Sequence, residues 1–330
     1  MSSRIKRTFT AAALTLLAIA VFMTWWLFGP YQIRATSVFV EDGDPFHKVV
    51  RKLKDGEVVK SPWFFSKIGL LIGLDRHILA GRYDFDRKVS NFGIMRKLWR
   101  GDIVYATITV PEGYTLRQIG TLLDQQCGGK RDIFDSLVRD SQYLALLGVN
   151  TVSGEGYLFP ETYRFPWGIS VDKAIRMMVG QLFARVDSGM MARCDTLGYT
   201  LHDLLTMASI VEREGLHEDE FGLIASVYRN RYRIGMKLQA DPTVIYGMGN
   251  LNRKLLTRDY QFPSEYNTYL HLGLPPTPIC SPGMAAIEAA LYPDSTNYLY
   301  FVADGSGRHV FNRTYQEHLS DIRQIRRNRK

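Results

Sequence analysis

Cysteine is scarce. Cys127, Cys194 and Cys280 are three in 330 residues, an odd number at irregular spacing. They spell out neither a metal pattern nor a disulfide framework. One bridge, Cys127 to Cys194, and three thiols without a role both stand as readings. The chain also lacks HExxH, a paired CxxC, GxSxG and a phosphate-cradling glycine loop before a helix. No metal and no cofactor are expected. His217 beside Glu218 and Asp219 reads as a solvated helix start, and ADGSGR as a hairpin turn. A basic face is missing as well. The net charge of +8 comes from Arg4, Lys6 and Arg7 at one end and Arg323, Arg326, Arg327, Arg329 and Lys330 at the other. What remains is 33 basic residues against 33 acidic ones. A nucleic-acid protein needs its positive charge on the fold itself, so no nucleic-acid partner is expected.

Long apolar runs are confined to one place. Residues 11–29, AAALTLLAIAVFMTWWLFG, carry no charge and match the roughly 20 residues that cross a bilayer as a helix. Basic residues precede the run, and Trp25, Trp26 and Tyr31 follow at the depth where amphipathic rings favour the interface. A cleaved signal peptide is the rival reading, but the run is long for one and no small-x-small site follows. The expectation is an uncleaved anchor over 10–30, a short cytoplasmic tail over 1–9, and everything after residue 30 outside the cytoplasm.

The rest reads as α+β. VEDGDPFHKVVRKL (40–53) and VPEGYTLRQIGTLL (110–123) share one pattern: a strand, a glycine turn, then apolar residues at helical spacing. Val40 and Val110, Gly43 and Gly113, Val49 and Ile119, Leu53 and Leu123 align at one offset. A looser version lies between them, so residues 35–110 are expected to form a small α+β module. From 111 to 325 the chain is mainly helical. TLHDLLTMASIVEREG starts with a capping-box pair, Thr200 and Asp203, and stops at Gly215. The next helix lies within 218–235 with Phe221, Ile224, Ala225 and Tyr228 on one face, and a third within SPGMAAIEAALYP. YLYFVADGSGRHVFN reads as a β-hairpin, and 326–330 as a basic tail.

Chemistry is sought first at Glu212 and Glu214. On a wheel of 100° per residue, the apolar stripe centres on Leu204, Ala208 and Val211. The two glutamates fall on either side of it, and Arg213 points away. Glu214 also lies in the last turn, where the helix dipole disfavours a carboxylate. Edge burial and dipole both push towards a raised pKa, which suits a general acid. Arg229, Arg231 and Arg233 are the competing partners for an ordinary ion pair, and geometry alone does not choose between the two glutamates.

Three loops point to a groove. GEGYLFPETYRF sets Glu155 and Glu161 among rings. LQADPTVIYG places Gln239, Asp241, Thr243 and Tyr246 around a proline. YNTYLHLGLPPTPICSPG carries Tyr266, Asn267 and Tyr269 beside a Gly–Pro turn. Hydrogen-bonding groups interleaved with flat rings suit a carbohydrate, whose hydroxyls need partners and whose C–H faces stack on aromatics.

In this order, EGYLFPETYRF, MASIVEREG, LQADPTVIYGMG, YNTYLHLGLPPTPICSPG and YLYFVADGSGRHVF closely resemble the MltG (YceG-like) family of membrane-anchored endolytic murein transglycosylases. The resemblance runs from about residue 35 and is densest over 150–312. It implies a LysM-like module over 35–110 and a catalytic domain over 111–325. It also implies an inner-membrane protein acting on nascent peptidoglycan strands, beside penicillin-binding synthases. The second glutamate of the family's A-S-I-[VI]-E-x-E motif is Glu214, which the resemblance makes the catalytic residue; Glu212 becomes a neighbour that shapes the site. Gln239, Asp241, Tyr246, Asn267 and Glu155 fall on matching motif positions for substrate positioning, with Glu161, Thr243, Tyr266 and Tyr269 as further candidates. The implied reaction cleaves the bond from N-acetylmuramic acid to N-acetylglucosamine and leaves 1,6-anhydro ends. A wall-binding scaffold without catalysis, a plain glycan hydrolase and a chorismate lyase are the competing readings. The last would need a pyridoxal-binding lysine and a cytosolic substrate.

Overall fold

The computed structural model describes residues 3–249, 251 and 253–328. Met1, Ser2, Arg329 and Lys330, which belong to the two expected tails, lie outside the described residues, as do the side chains of residues 3–9. The chain is helix-rich with small two-stranded sheets. It divides into two compact units, Met1–Ala106 with Arg164–Ile169, and Thr107–Tyr163 with Ser170–Lys330.

The first unit begins with α1 (Ser3–Phe28), whose stretch Thr10–Phe28 is long and apolar enough to cross a membrane. There follow β1 (Tyr31–Gln32), β2 (Ser37–Val40), α2 (Phe46–Asp55), α3 (Pro62–Leu71), β3 (Gly81–Asp84), β4 (Lys88–Val89), α4 (Asn91–Arg100) and β5 (Tyr105–Thr109). Strand β1 pairs antiparallel with β4, and β2 with β3. Val38 lies opposite Tyr83 and Val40 opposite Gly81. This period-2 face is buried and meets Val49 and Leu53 of α2, Phe65 of α3, and Ile94 and Leu98 of α4. Each such side chain contributes about 1.5–3 kcal/mol when fully buried. Gly43 turns the chain from β2 into α2 at φ 78°, a conformation costly for any residue with a Cβ; Gly113 repeats it at φ 73° before the next helix. The end of α1 belongs to this core. Trp26 is buried and meets Phe64 edge-on at 4.6 Å, and Asn91 donates from Nδ2 to the Trp26 carbonyl at 2.8 Å.

The second unit contains α5 (Leu116–Cys127), α6 (Arg131–Leu137), α7 (Ser141–Leu146), the start of β6 (Thr162–Pro166), α8 (Val171–Arg185) and α9 (Ser188–Leu197). Then come α10 (Leu201–Glu214), α11 (Phe221–Arg233), α12 (Asp241–Gly247), α13 (Met284–Leu291), the hairpin β7 (Tyr300–Ala303) and β8 (His309–Asn312), and α14 (Tyr315–Asn328). Helix α10 is the centre, burying Leu204 through Val211 and packing on α11 and α13. The expected capping box holds its start: Asp203 N–H donates to Thr200 Oγ1 at 3.1 Å and Thr200 N–H to Asp203 Oδ2 at 2.9 Å. Phe221, Ile224, Ala225 and Tyr228 form the buried face of α11. The bridge weighed for Cys127 and Cys194 is not formed. Both are free buried thiols, as is Cys280, and burial pushes the Cys127 thiol up to about 11, far from the thiolate that oxidation requires.

Candidate active site

The two glutamates at the end of α10 are both half-buried, and Arg213 between them is exposed, as the wheel expects. Their surroundings separate them. Glu212 Oε2 accepts the Gly283 N–H at 3.0 Å, so its carboxyl sits on the N-terminus of α13, where a negative charge is favoured. Burial nonetheless pushes it up to about 7, with the charges of Glu112 and Glu218 adding to that and the Gly283 bond opposing it. Glu212 thereby ties one helix end to another.

Glu214 faces a different set. Its Oε1 accepts the Tyr228 hydroxyl at 2.5 Å. Burial pushes the carboxyl up to about 7; the Tyr228 bond pulls it down, Asp241 raises it and Arg231 lowers it. None of the three arginines considered as partners makes an ion pair with it among the described residues. Arg231, the one buried beside it, spends its guanidinium on the carbonyls of Leu299 and Leu238, both at 2.6 Å. Tyr228 is itself buried, and its hydroxyl is held far above its ordinary pKa by burial and by Glu214. It is therefore a permanent donor to Oε1, and a bond from the Asp241 backbone also favours the charged form. A half-buried carboxyl protonated near pH 7, with no cation bound to it, is equipped for proton transfer.

Helix α12 and the loop after it lie beside Glu214. Asp241 opens α12; its Oδ1 accepts from Tyr269 at 2.6 Å and its Oδ2 from Tyr260 at 3.4 Å. The two rings lie 4.6 Å apart. Gln239, just before, is exposed and has φ 53°, a left-handed conformation that costs a non-glycine residue about 1 kcal/mol or more. The Gln239 N–H bond to the Thr268 carbonyl at 3.2 Å fixes it there. At the other end of α12, Tyr246 lies 4.8 Å from Tyr266 with the rings tilted at 56°, and the Tyr266 hydroxyl meets Thr277 Oγ1 at 2.8 Å.

Several residues read from the sequence as groove-lining are internal ties between loops and helix ends. Glu155 is buried. It accepts from Leu116 N–H, at the start of α5, and from the Tyr246 hydroxyl, both at 2.9 Å. Burial pushes it up to about 7, against the pull of those two bonds. Thr243 is fully buried and links the Ala240 carbonyl to Thr268. Asn267, also fully buried, donates to the carbonyls of Tyr260 and Phe262 and accepts the Tyr269 N–H. Gly156 lets the first loop lie against the third: at φ 82°, a Cβ there would come within 2.4 Å of Pro278. Glu161 stands apart, paired with Arg185 at 2.6 Å and near Gln181 on α8. Among the described residues no three His, Cys, Asp or Glu side chains converge as metal ligands.

Tyr228, Tyr260 and Glu112 belong to this electrostatic group and were not singled out by the sequence. Tyr228 had one signal: a phenol on an otherwise apolar face must find a partner for its hydroxyl.

The model of the YceG-like family matches residues 38–324. The chain belongs to the YceG-like family. It is similar to a Bacillus subtilis protein named endolytic murein transglycosylase, with 34% identity over 86% of this chain and 82% of that one. A Streptococcus pneumoniae protein of the same name is 32% identical over 85% of this chain, and the match spans 56% of its length. The crystal structure of a YceG-like protein from Listeria monocytogenes superposes with a TM-score of 0.61 at 31% identity, covering 86% of this chain and 98% of that one. Within the YceG-like match lie every one of the carboxyls, phenols and loops described above.

Proposed function

We propose that this chain is a membrane-anchored lytic transglycosylase of peptidoglycan, with Glu214 as its single acid and base. The observation that carries the reading is the state of Glu214: half-buried, free of any arginine partner among the described residues, and raised to about 7. The names of the relatives supply the substrate class.

Glu214 donates its proton to the glycosidic oxygen between N-acetylmuramic acid and N-acetylglucosamine, and the C1–O bond breaks with its electron pair leaving on that oxygen. Positive charge develops at C1 of the muramoyl unit, stabilised by its own N-acetyl group. Glu214, now a carboxylate steadied by the Tyr228 hydroxyl, takes the proton from the C6 hydroxyl as that oxygen bonds to C1. The product is a 1,6-anhydro end, no water is consumed, and Glu214 is protonated again. One carboxyl working twice needs no second catalytic carboxylate at hydrolase spacing. Asp241, Tyr260 and Tyr269 would meet sugar hydroxyls, and Gln239 projects from its strained backbone to do the same. Glu155, Thr243 and Asn267 keep the loops and helix ends in register. Residues 35–110 are taken as a LysM-like glycan-binding module and 111–325 as the catalytic domain. Helix α1 would hold both on the outer face of the inner membrane, where nascent strands emerge from their synthases and can be terminated or trimmed.

Product analysis tests this. Full-length protein in detergent, given intact and peptide-stripped glycan, is expected to yield anhydro-ended fragments by mass spectrometry. Ends heavier by one water would make it a hydrolase, and binding without cleavage a scaffold.

A further inference from the structure

Helix α3, PWFFSKIGLL, is apolar on both sides. Phe65 and Gly69 face the core, yet Trp63 is 71% exposed and Leu71 85% exposed on the other side, with Leu70 and then Ile72 also in the open. A helix that is hydrophobic all round belongs in a core or in lipid, and one face of this helix has no core to enter. Helix α4 continues the surface with exposed Phe92 and Trp99. An open groove runs between the two helices, lined by Ile68, Ile72, Phe92, Met95 and Trp99, and its remaining wall is Leu27 of α1. Phe28, the last residue of α1, meets Phe92 at 4.9 Å. The exposed patch is thus continuous with the apolar surface of the candidate membrane span, which Trp26 and Asn91 fix to this unit.

The charges on α3 and α4 themselves are all basic, with Asp75 and Asp102 beyond their ends. Residues 58–74 contain Lys60 and Lys67, and residues 88–101 contain Lys88, Arg96, Lys97 and Arg100; neither stretch has an acid. Lys67 leans its ammonium over the Trp63 ring, and Arg96 and Arg100 rim the groove. Apolar side chains ringed by long basic ones, whose stems can lie on lipid while their heads reach phosphate, are the pattern of an interfacial helix on an anionic bilayer.

We propose that α3 and α4 lie in the outer headgroup region of the same bilayer that α1 spans, with Trp63, Leu70, Leu71, Phe92 and Trp99 in the acyl boundary and the six basic residues on anionic lipid phosphates. This rests on α1 being a membrane anchor, and it gives the first unit a second, surface-lying contact.

The test uses the full-length chain in vesicles of phosphatidylethanolamine and phosphatidylglycerol. Nitroxides are attached at Leu71→Cys, at Phe22→Cys within α1, and at Leu216→Cys on the second unit; the native thiols are buried, and unsubstituted protein is the blank. Accessibility to oxygen and to a water-soluble nickel complex is read by electron spin resonance. The expected result is a Leu71 label that resembles Phe22 in meeting oxygen but not nickel, while Leu216 meets nickel freely. A Leu71 label open to nickel, with Phe22 still in lipid, overturns the surface contact and leaves the anchor. A Leu71 label shielded from both probes marks a protein partner or a second copy and also overturns it. Nickel access at Phe22 removes the anchor, and the surface contact with it. Replacing the anionic lipid with a neutral one is expected to raise nickel access at Leu71 severalfold; no change contradicts the role given to the basic residues.

Discussion

At the scale of single residues, the account turns on a carboxyl and a phenol. Tyr228 stabilises the charged form of Glu214, so removing its hydroxyl raises the acid further. Tyr228→Phe is expected to move the alkaline limb of the pH–rate profile upward by about one pH unit, the scale of one charge-assisted hydrogen bond, and to slow turnover roughly tenfold because the carboxylate intermediate loses its donor. A profile that stays in place would separate Tyr228 from the chemistry. The wheel placed both glutamates at the core edge and left them equal. What separates them is the partner each meets, Gly283 from 71 residues downstream and Tyr228 from the next helix, and helical periodicity carries no information about either.

At the scale of elements, the helices announced themselves. α10 with its capping box, the buried face of α11 and the β7–β8 hairpin rest on local patterns that the sequence displays directly. The loops did not. Polar residues among aromatics read as a groove surface, but Glu155, Thr243 and Asn267 are buried because backbone groups at helix starts and in loops need partners. Glu155 takes the Leu116 N–H that opens α5, Thr243 the Ala240 carbonyl that precedes α12, and Asn267 two carbonyls of its own loop. Gly156 is a sharp case of the same packing. Gly156→Ala must clear Pro278 and hold a left-handed φ, so it is expected to destabilise the second unit by more than about 1 kcal/mol and to lower activity. Thermal unfolding together with an activity assay checks both, and a neutral alanine would mean the two loops are free to separate.

At the scale of the whole molecule, the buried Glu155 and the half-buried Glu212 and Glu214 give stability a pH dependence of definite sign. Glu155, Glu212 and Glu214 are each raised by burial to about 7 from 4.5. Between those values the folded chain holds protons that the unfolded chain has released, so stability is greatest below about 4.5 and falls as pH rises through 7. Each full shift corresponds to roughly 3 kcal/mol at most. Asp259, lowered to about 2 chiefly by its bond with Arg253, acts only below about 4, whereas His318, lowered from 6.5 chiefly by burial, opposes the trend within this window as one group against three. The thermal midpoint is expected to drop between pH 5 and pH 8, and Glu214→Gln, which carries no charge to bury, to drop less. A midpoint that rises over that range would contradict the burial argument.

The central claim is that one of the two glutamates in the last turn of α10, Glu214, does the proton transfers. Anhydro-end formation by the full-length protein, measured from pH 5 to 9 for the wild type, Glu214→Gln and Glu212→Gln, tests it most directly. Expected are a wild-type rate that falls above about pH 7, a loss of at least a hundredfold in Glu214→Gln, and a Glu212→Gln enzyme that still cuts. A Glu214→Gln chain cutting at the wild-type rate, or a dead Glu212→Gln beside a live Glu214→Gln, would contradict it.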